Sequence, residues 1–148
     1  MREALAQAQR AEQLGEVPIG CVIVHEGSVI ARTHNRRELD RDPLAHAEIL
    51  AIREAARVLD RWRLSGCTLY VTLEPCPMCA GALVNARVDR VVYATRDPRA
   101  GAIDTHFHIG KGLPLNHTLQ IEEGPLQAEC SSLLSSFFAA KRKEKKKE

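Results

Sequence analysis

At 148 residues the chain has the length of one domain, with little room for a second. Its 45% hydrophobic fraction is enough to bury one core, and it contains no run of about 18 uninterrupted apolar residues that could span a membrane. The formal net charge of +2 is unevenly placed: residues 141–148 carry six basic and two acidic side chains, which leaves −2 for residues 1–140. This division predicts a single domain over 1–140 and a basic tail over 141–148. Such a tail suits a polyanion and equally suits plain solvation. Met1-Arg2-Glu3-Ala4 lacks the apolar run of a secretory signal, and five cysteines, an odd number, do not read as a disulfide framework. The expected location is the cytoplasm.

Along the chain, Leu5, Ala8, Ala11 and Leu14 fall at helical spacing over residues 2–14, and Gly15 stops the helix. Val17 to Val24 and Ser28 to Thr33 are β-rich, joined by His25-Glu26-Gly27 as a hairpin turn. Residues 34–42 are polar and read as a loop. Asp42-Pro43 then looks like a cap and first turn of a helix running to about Leu59, burying Ile49, Leu50, Ile52, Ala56 and Leu59. Thr68 to Leu73 is a third strand, followed by Glu74-Pro75-Cys76 and a helix through about Ala86. Arg90 to Thr95 and Leu119 to Glu122 are two more strands. A last helix over 126–143 stripes Leu126, Cys130, Leu133, Leu134 and Phe137. Helices and strands alternate after the hairpin, which predicts an α/β fold: a mixed five-stranded sheet with helices on both faces.

Two short motifs carry chemistry. His46-Ala47-Glu48 lies near one predicted helix start, and Pro75-Cys76-Pro77-Met78-Cys79 opens another. Cysteines at i and i+3 share a helix face, and the positive end of the helix dipole favours the thiolates that metals bind. Two thiolates and an imidazole, from Cys76, Cys79 and His46, make the three-ligand set of a catalytic zinc site that keeps a fourth position for water. A structural site would need a fourth protein ligand, and Cys21, Cys67, Cys130 and the other histidines all lack short ligand spacing to this set. Glu48 is too hard a ligand for such a soft set, but it suits proton transfer beside a metal that brings water's pKa near roughly 7. Taken alone, the C-x-x-C reads equally as redox, metal-binding or incidental. Joined to H-x-E, it forms the signature of zinc nucleobase deaminases.

These residues resemble the bacterial tRNA-specific adenosine deaminases of the TadA type, within the cytidine-deaminase-like three-layer α/β/α fold. The resemblance covers nearly the whole chain. It is densest at Glu16 to Gly20, Asp42 to Ile49, Leu69 to Ala82 and Asp97 to Ala102, with Asn116-His117 before a strand. It implies hydrolysis of adenosine to inosine at the wobble position of a tRNA anticodon by a homodimer, with RNA and not DNA as partner. The implied machinery is one zinc per chain on His46, Cys76 and Cys79, zinc-activated water, and Glu48 as the proton shuttle. Asn35 matches the family's base-contacting asparagine. Asp97 stands where the family contacts the nucleotide before the target, including its ribose. Arg99, Phe138 and Arg142 are the further RNA-facing candidates, Phe138 for stacking and the two arginines for phosphates. Residues 102–113 depart from the family's pattern, and His106 and His108 read as loop histidines.

Two other functions remain open at this level. One is a zinc deaminase of a free guanine- or cytosine-type base or nucleoside, which would need no basic RNA surface. The other is a non-catalytic, zinc-stabilised RNA-binding subunit, whose mark would be loss of the glutamate held here by Glu48.

Overall fold

A computed structural model describes residues 1–148. Its elements in chain order are α1 (Arg2–Gln13), β1 (Gly20–His25), β2 (Ser28–His34), α2 (Ala47–Leu59), β3 (Cys67–Leu73), α3 (Pro77–Asn85), β4 (Arg90–Thr95), β5 (Gln120–Glu123) and α4 (Gln127–Lys147). The sheet order is β2-β1-β3-β4-β5. β1 runs antiparallel to both β2 and β3, whereas β3, β4 and β5 are parallel, so the sheet is mixed. α1 and α4 pack on one face and α2 and α3 on the other, giving the three-layer α/β/α architecture. No helix is long and apolar enough to cross a membrane.

Strand alternation divides the sheet's side chains between two cores. Ile23, Leu69, Val71, Val91 and Tyr93 meet Ala47, Ala51 and Ala55 of α2 and Ala80, Leu83 and Val84 of α3. On the opposite face, α1 presents Ala4, Ala8 and Ala11, all fully buried. Alanine is needed there because α1 lies against the β1 backbone: a Cβ on Gly20 would stand 1.9 Å from the Ala4 carbonyl oxygen. The helix faces are therefore narrower and smaller than their leucine and isoleucine stripes predict. Leu14 is exposed, and Ile49, Leu50, Ile52, Ala56 and Leu59 are only half-buried.

Several boundaries differ from expectation. β1 starts at Gly20, because Pro18 has no N–H for a ladder and Ile19 closes a tight turn onto the Val17 carbonyl at 2.8 Å. α2 starts at Ala47 rather than Pro43. Asp42 instead builds a turn, its side chain accepting from the Leu44 N–H at 2.9 Å and its carbonyl from Ala45 at 3.1 Å. α4 runs on to Lys147, so the basic run from Lys141 is the helix's last turns, where cations suit the negative end of the dipole. Of its predicted stripe, Cys130 is buried, while Leu133, Leu134 and Phe137 are half-buried.

Candidate active site

The amino-terminal ends of α2 and α3 converge beyond the carboxyl end of β3. His46 is the N-cap of α2 and Cys76 the N-cap of α3, both with extended backbone, and Pro77 fits the first turn of α3 because no N–H is needed there. Neither cap side chain bonds its own helix, which leaves both free to face each other. The ligand atoms of His46, Cys76 and Cys79 all lie within 4.8 Å of one another. His46 Nδ1 is 3.6 Å from Cys76 Sγ and 3.5 Å from Cys79 Sγ. Zinc bonds of about 2.3 Å to sulfur and about 2.0–2.1 Å to nitrogen, at tetrahedral angles, separate N from S by roughly 3.6 Å. The three donors fit zinc in chemistry and spacing.

Burial and proton sharing shape the charges here. The Cys76 thiol is pulled down to about 4 by the hydrogen bond from Cys79, aided by His46, and Cys79 is correspondingly raised. His46 is raised, chiefly by its hydrogen bond with Cys76. Glu48, on the first turn of α2 and only 4% exposed, is pushed up to about 7 by burial. A carboxyl held near neutrality can both take and give a proton, which a solvated glutamate does poorly.

The cavity beside this cluster has a volume of about 580 Å³. His46, Ala47 and Asn35 line it together with Val17, Ile19 and Leu73, while Asp97, Pro98, Arg99, Phe138 and Arg142 form a further part of its wall. Asn35 is 5% exposed, and its amide donates to Glu16 at 3.2 Å. Asp97 is half-buried; its Oδ1 accepts from the Arg99 N–H at 2.9 Å, a turn that fixes the loop after β4. The Arg99 guanidinium lies 5.9 Å from the centre of the Phe138 ring, so the loop and α4 meet at the cavity. Phe138 is 37% exposed, edge-on to the more buried Phe137 at 5.5 Å. His106 sits outside the cavity lining and donates to the Pro98 carbonyl at 2.6 Å.

Several contributors escape the motif reading. Arg37 and Arg96 also line the cavity, and Arg96 pairs with Glu123 at 2.5 Å. Glu74 is 2% exposed and accepts backbone N–H bonds from Asp97, Ile103, Asp104 and Thr105 at 2.8–3.1 Å. A Cβ on Gly101 would stand 2.3 Å from Glu74 Oε1, so only glycine lets the loop close around this carboxylate. Glu16 is equally hidden, at 1% exposure.

A three-layer fold with a His/Cys/Cys cluster and a buried glutamate at the helix starts defines a deaminase, and the model of the MafB19-like deaminase family matches residues 1–142. The tRNA-specific adenosine deaminase of Bacillus subtilis is 50% identical over 146 residues, covering 99% of this chain and 91% of that protein. A solved structure from work on A-to-I editing by tRNA:A34 deaminases superposes with a TM-score of 0.87 and 42% identity, covering 90% of this chain and 97% of that one. A guanine deaminase from Nitrosomonas europaea is more distant, with a TM-score of 0.79 and 26% identity over 92% of this chain and 81% of that one. The chain belongs to the MafB19-like deaminase family and, within it, to the tRNA-specific adenosine deaminases.

Proposed function

We propose that the chain hydrolyses adenosine to inosine at the wobble position of a tRNA anticodon, as a cytoplasmic homodimer with one zinc per protomer. The observation that carries the reading is the His46–Cys76–Cys79 cluster beside buried Glu48, at a cavity rimmed by arginines. His46, Cys76 and Cys79 would hold the metal, which when bound supplies a Lewis acid that makes water nucleophilic near neutral pH.

The chain's own residues do the rest. Water adds its oxygen to C6 of the adenine while Glu48 takes a proton from it. Glu48 returns a proton to N1 of the ring and then carries the second to the departing amino group. The C6–O bond forms, the C6–N bond breaks, and ammonia leaves. Asn35 holds the target base from the side wall. Asp97 accepts from the 2′-hydroxyl of the flanking ribose, the group that distinguishes RNA from DNA. Arg99 and Arg142 meet phosphates, and Phe138 offers a face for stacking. Pulling a base out of the anticodon loop costs a few kcal/mol, which these contacts offset.

The rival reading, deamination of a free base, is weakened by the cavity's rim. Arg37, Arg99 and Arg142 converge there with no ion pair of their own, whereas Arg96 is already paired. Unpaired cations around the mouth suit a polyanion more than a neutral purine. Incubation with an anticodon stem-loop and, separately, with free adenine, guanine and cytosine tests the reading. Inosine formed in the stem-loop supports it, and ammonia released only from a free base overturns it.

A further inference from the structure

Glu16 has no part in the metal cluster, yet it is among the most deeply buried carboxylates in the chain. It follows the stop of α1 and precedes Val17, which lines the cavity. Its two oxygens face two N–H donors: Oε2 accepts from Asn35 Nδ2 at 3.2 Å, and Oε1 from the Leu39 backbone at 2.6 Å. A side-chain amide has one oxygen and one nitrogen, and only the nitrogen donates. Glu16 therefore dictates which way the Asn35 amide points. The remaining end agrees, since Asn35 Oδ1 accepts from the Arg37 N–H at 3.4 Å. Of the two amide hydrogens, one is committed to Glu16, and the other is available in a residue that lines the cavity.

We propose that Glu16 is a positioning residue for substrate recognition: it locks the Asn35 amide so that the cavity is offered a hydrogen-bond donor, which selects a base presenting an unprotonated ring nitrogen at that point. The inference rests on the reading above that Asn35 touches the target base. Glu16 and Glu48, two of the three buried carboxylates, then divide the labour beside the cavity, Glu16 setting orientation and Glu48 moving protons.

Glu16→Gln makes the test specific. The new side chain keeps an oxygen for the Leu39 N–H, so its amide nitrogen faces Asn35, and the Asn35 amide must turn over to meet it. The donor offered to the base becomes an acceptor. With an anticodon stem-loop as substrate, Glu16→Gln should raise KM about tenfold, the scale of one misdirected hydrogen bond, with kcat little changed. In an Asn35→Ala background it should add nothing, because the group it acts through is gone. The double variant Glu16→Gln with Asn35→Asp restores a hydrogen bond of reversed polarity between the two positions. It should recover the wild-type Tm and zinc content while KM stays raised. The proposal is overturned if the effects of Glu16→Gln and Asn35→Ala multiply, if the double variant regains wild-type KM, or if both Glu16 variants lose the fold. Wild-type KM in Asn35→Ala overturns it too. Failure of the wild-type chain to convert the stem-loop would instead remove the functional reading beneath it.

Discussion

Glu74, directly after β3, accepts hydrogen bonds from both the backbone N–H and the hydroxyl of Thr105, and this pairing ties the turn bearing Cys76 to the loop after β4. The same carboxylate also holds the N–H groups of Asp97, Ile103 and Asp104. Pro75 reinforces the link, its carbonyl accepting from Ala102 at 2.9 Å. The His/Cys/Cys cluster and the wall carrying Asp97 and Arg99 are thus built on a common anchor.

That anchor predicts a signature in acid. Burial alone would raise the Glu74 carboxyl, but the hydrogen bonds from Thr105, Asp104 and Asp97 outweigh it and leave the group below its ordinary value. A carboxylate depressed in the folded state contributes its full stability above its unfolded pKa, about 4.3, and loses it as pH falls through the folded value. Glu74→Gln should therefore cost roughly 1–3 kcal/mol at pH 7, since donors now face an amide nitrogen. The gap should begin to narrow as pH falls below the unfolded value of about 4.3 and close once pH has passed through the lower folded value, where the native carboxylate is itself protonated. Urea unfolding across this range measures the gap, and a gap of equal size at both ends would contradict the account.

The Cys-x-x-Cys pair at a helix start and most of the element order were legible in the sequence because they depend on local spacing. Cysteines three apart at a helix start, and β-branched runs bounded by turns, point to their structures without tertiary information. Boundaries set by long-range geometry were not legible. Asp42-Pro43 has the local chemistry of a helix start, yet α2 begins at Ala47, and His46 as its N-cap faces the two cysteines. The Leu5 and Ile49 stripes misled because close approach to the sheet selects alanine instead. Glu16 and Glu74 were invisible as organisers, since a glutamate near a turn reads as surface until its N–H partners, distant in sequence, are known.

Zinc should depend on all three donors. Cys76→Ser or Cys79→Ser replaces a soft thiolate with a hydroxyl, and elemental analysis should show most of the metal gone. Because the metal would tie the starts of α2 and α3 together, Tm should fall as well. Full occupancy in either variant would remove that cysteine from the ligand set. Cys21→Ser, a buried thiol outside the cluster, serves as the control and should keep its metal.

Glu48→Gln should separate binding from turnover. The amide fills the same space but cannot carry the protons. Zinc content and stem-loop affinity should hold while kcat drops at least about 10²–10⁴-fold, the range of a single general acid–base group. Turnover close to wild type in a zinc-loaded Glu48→Gln protein would contradict the assigned proton path.

The basic end of α4 makes the last prediction. Arg142 reaches the cavity, and Lys143, Lys145, Lys146 and Lys147 continue the same helix beyond it. If those lysines neutralise RNA phosphates, they release condensed counterions, and affinity falls with salt in proportion to the number of phosphates neutralised. Changing the four to glutamine leaves helix propensity nearly untouched and keeps Arg142 and Phe138 at the cavity wall. Stem-loop binding should weaken at low salt, and the slope of log affinity against log salt should flatten by about 0.7–0.9 for each phosphate no longer neutralised. Zinc content should not change, because the lysines lie outside the metal cluster. Asp97→Asn serves as the contrasting variant. It alters a group proposed to accept from a ribose hydroxyl, so it should narrow the preference for RNA over a DNA loop of the same sequence while leaving the salt slope nearly as it was. An unaltered salt slope in the lysine variant would make the helix end a solvated terminus. Phosphate binding would then fall to Arg37, Arg99 and Arg142 at the cavity mouth.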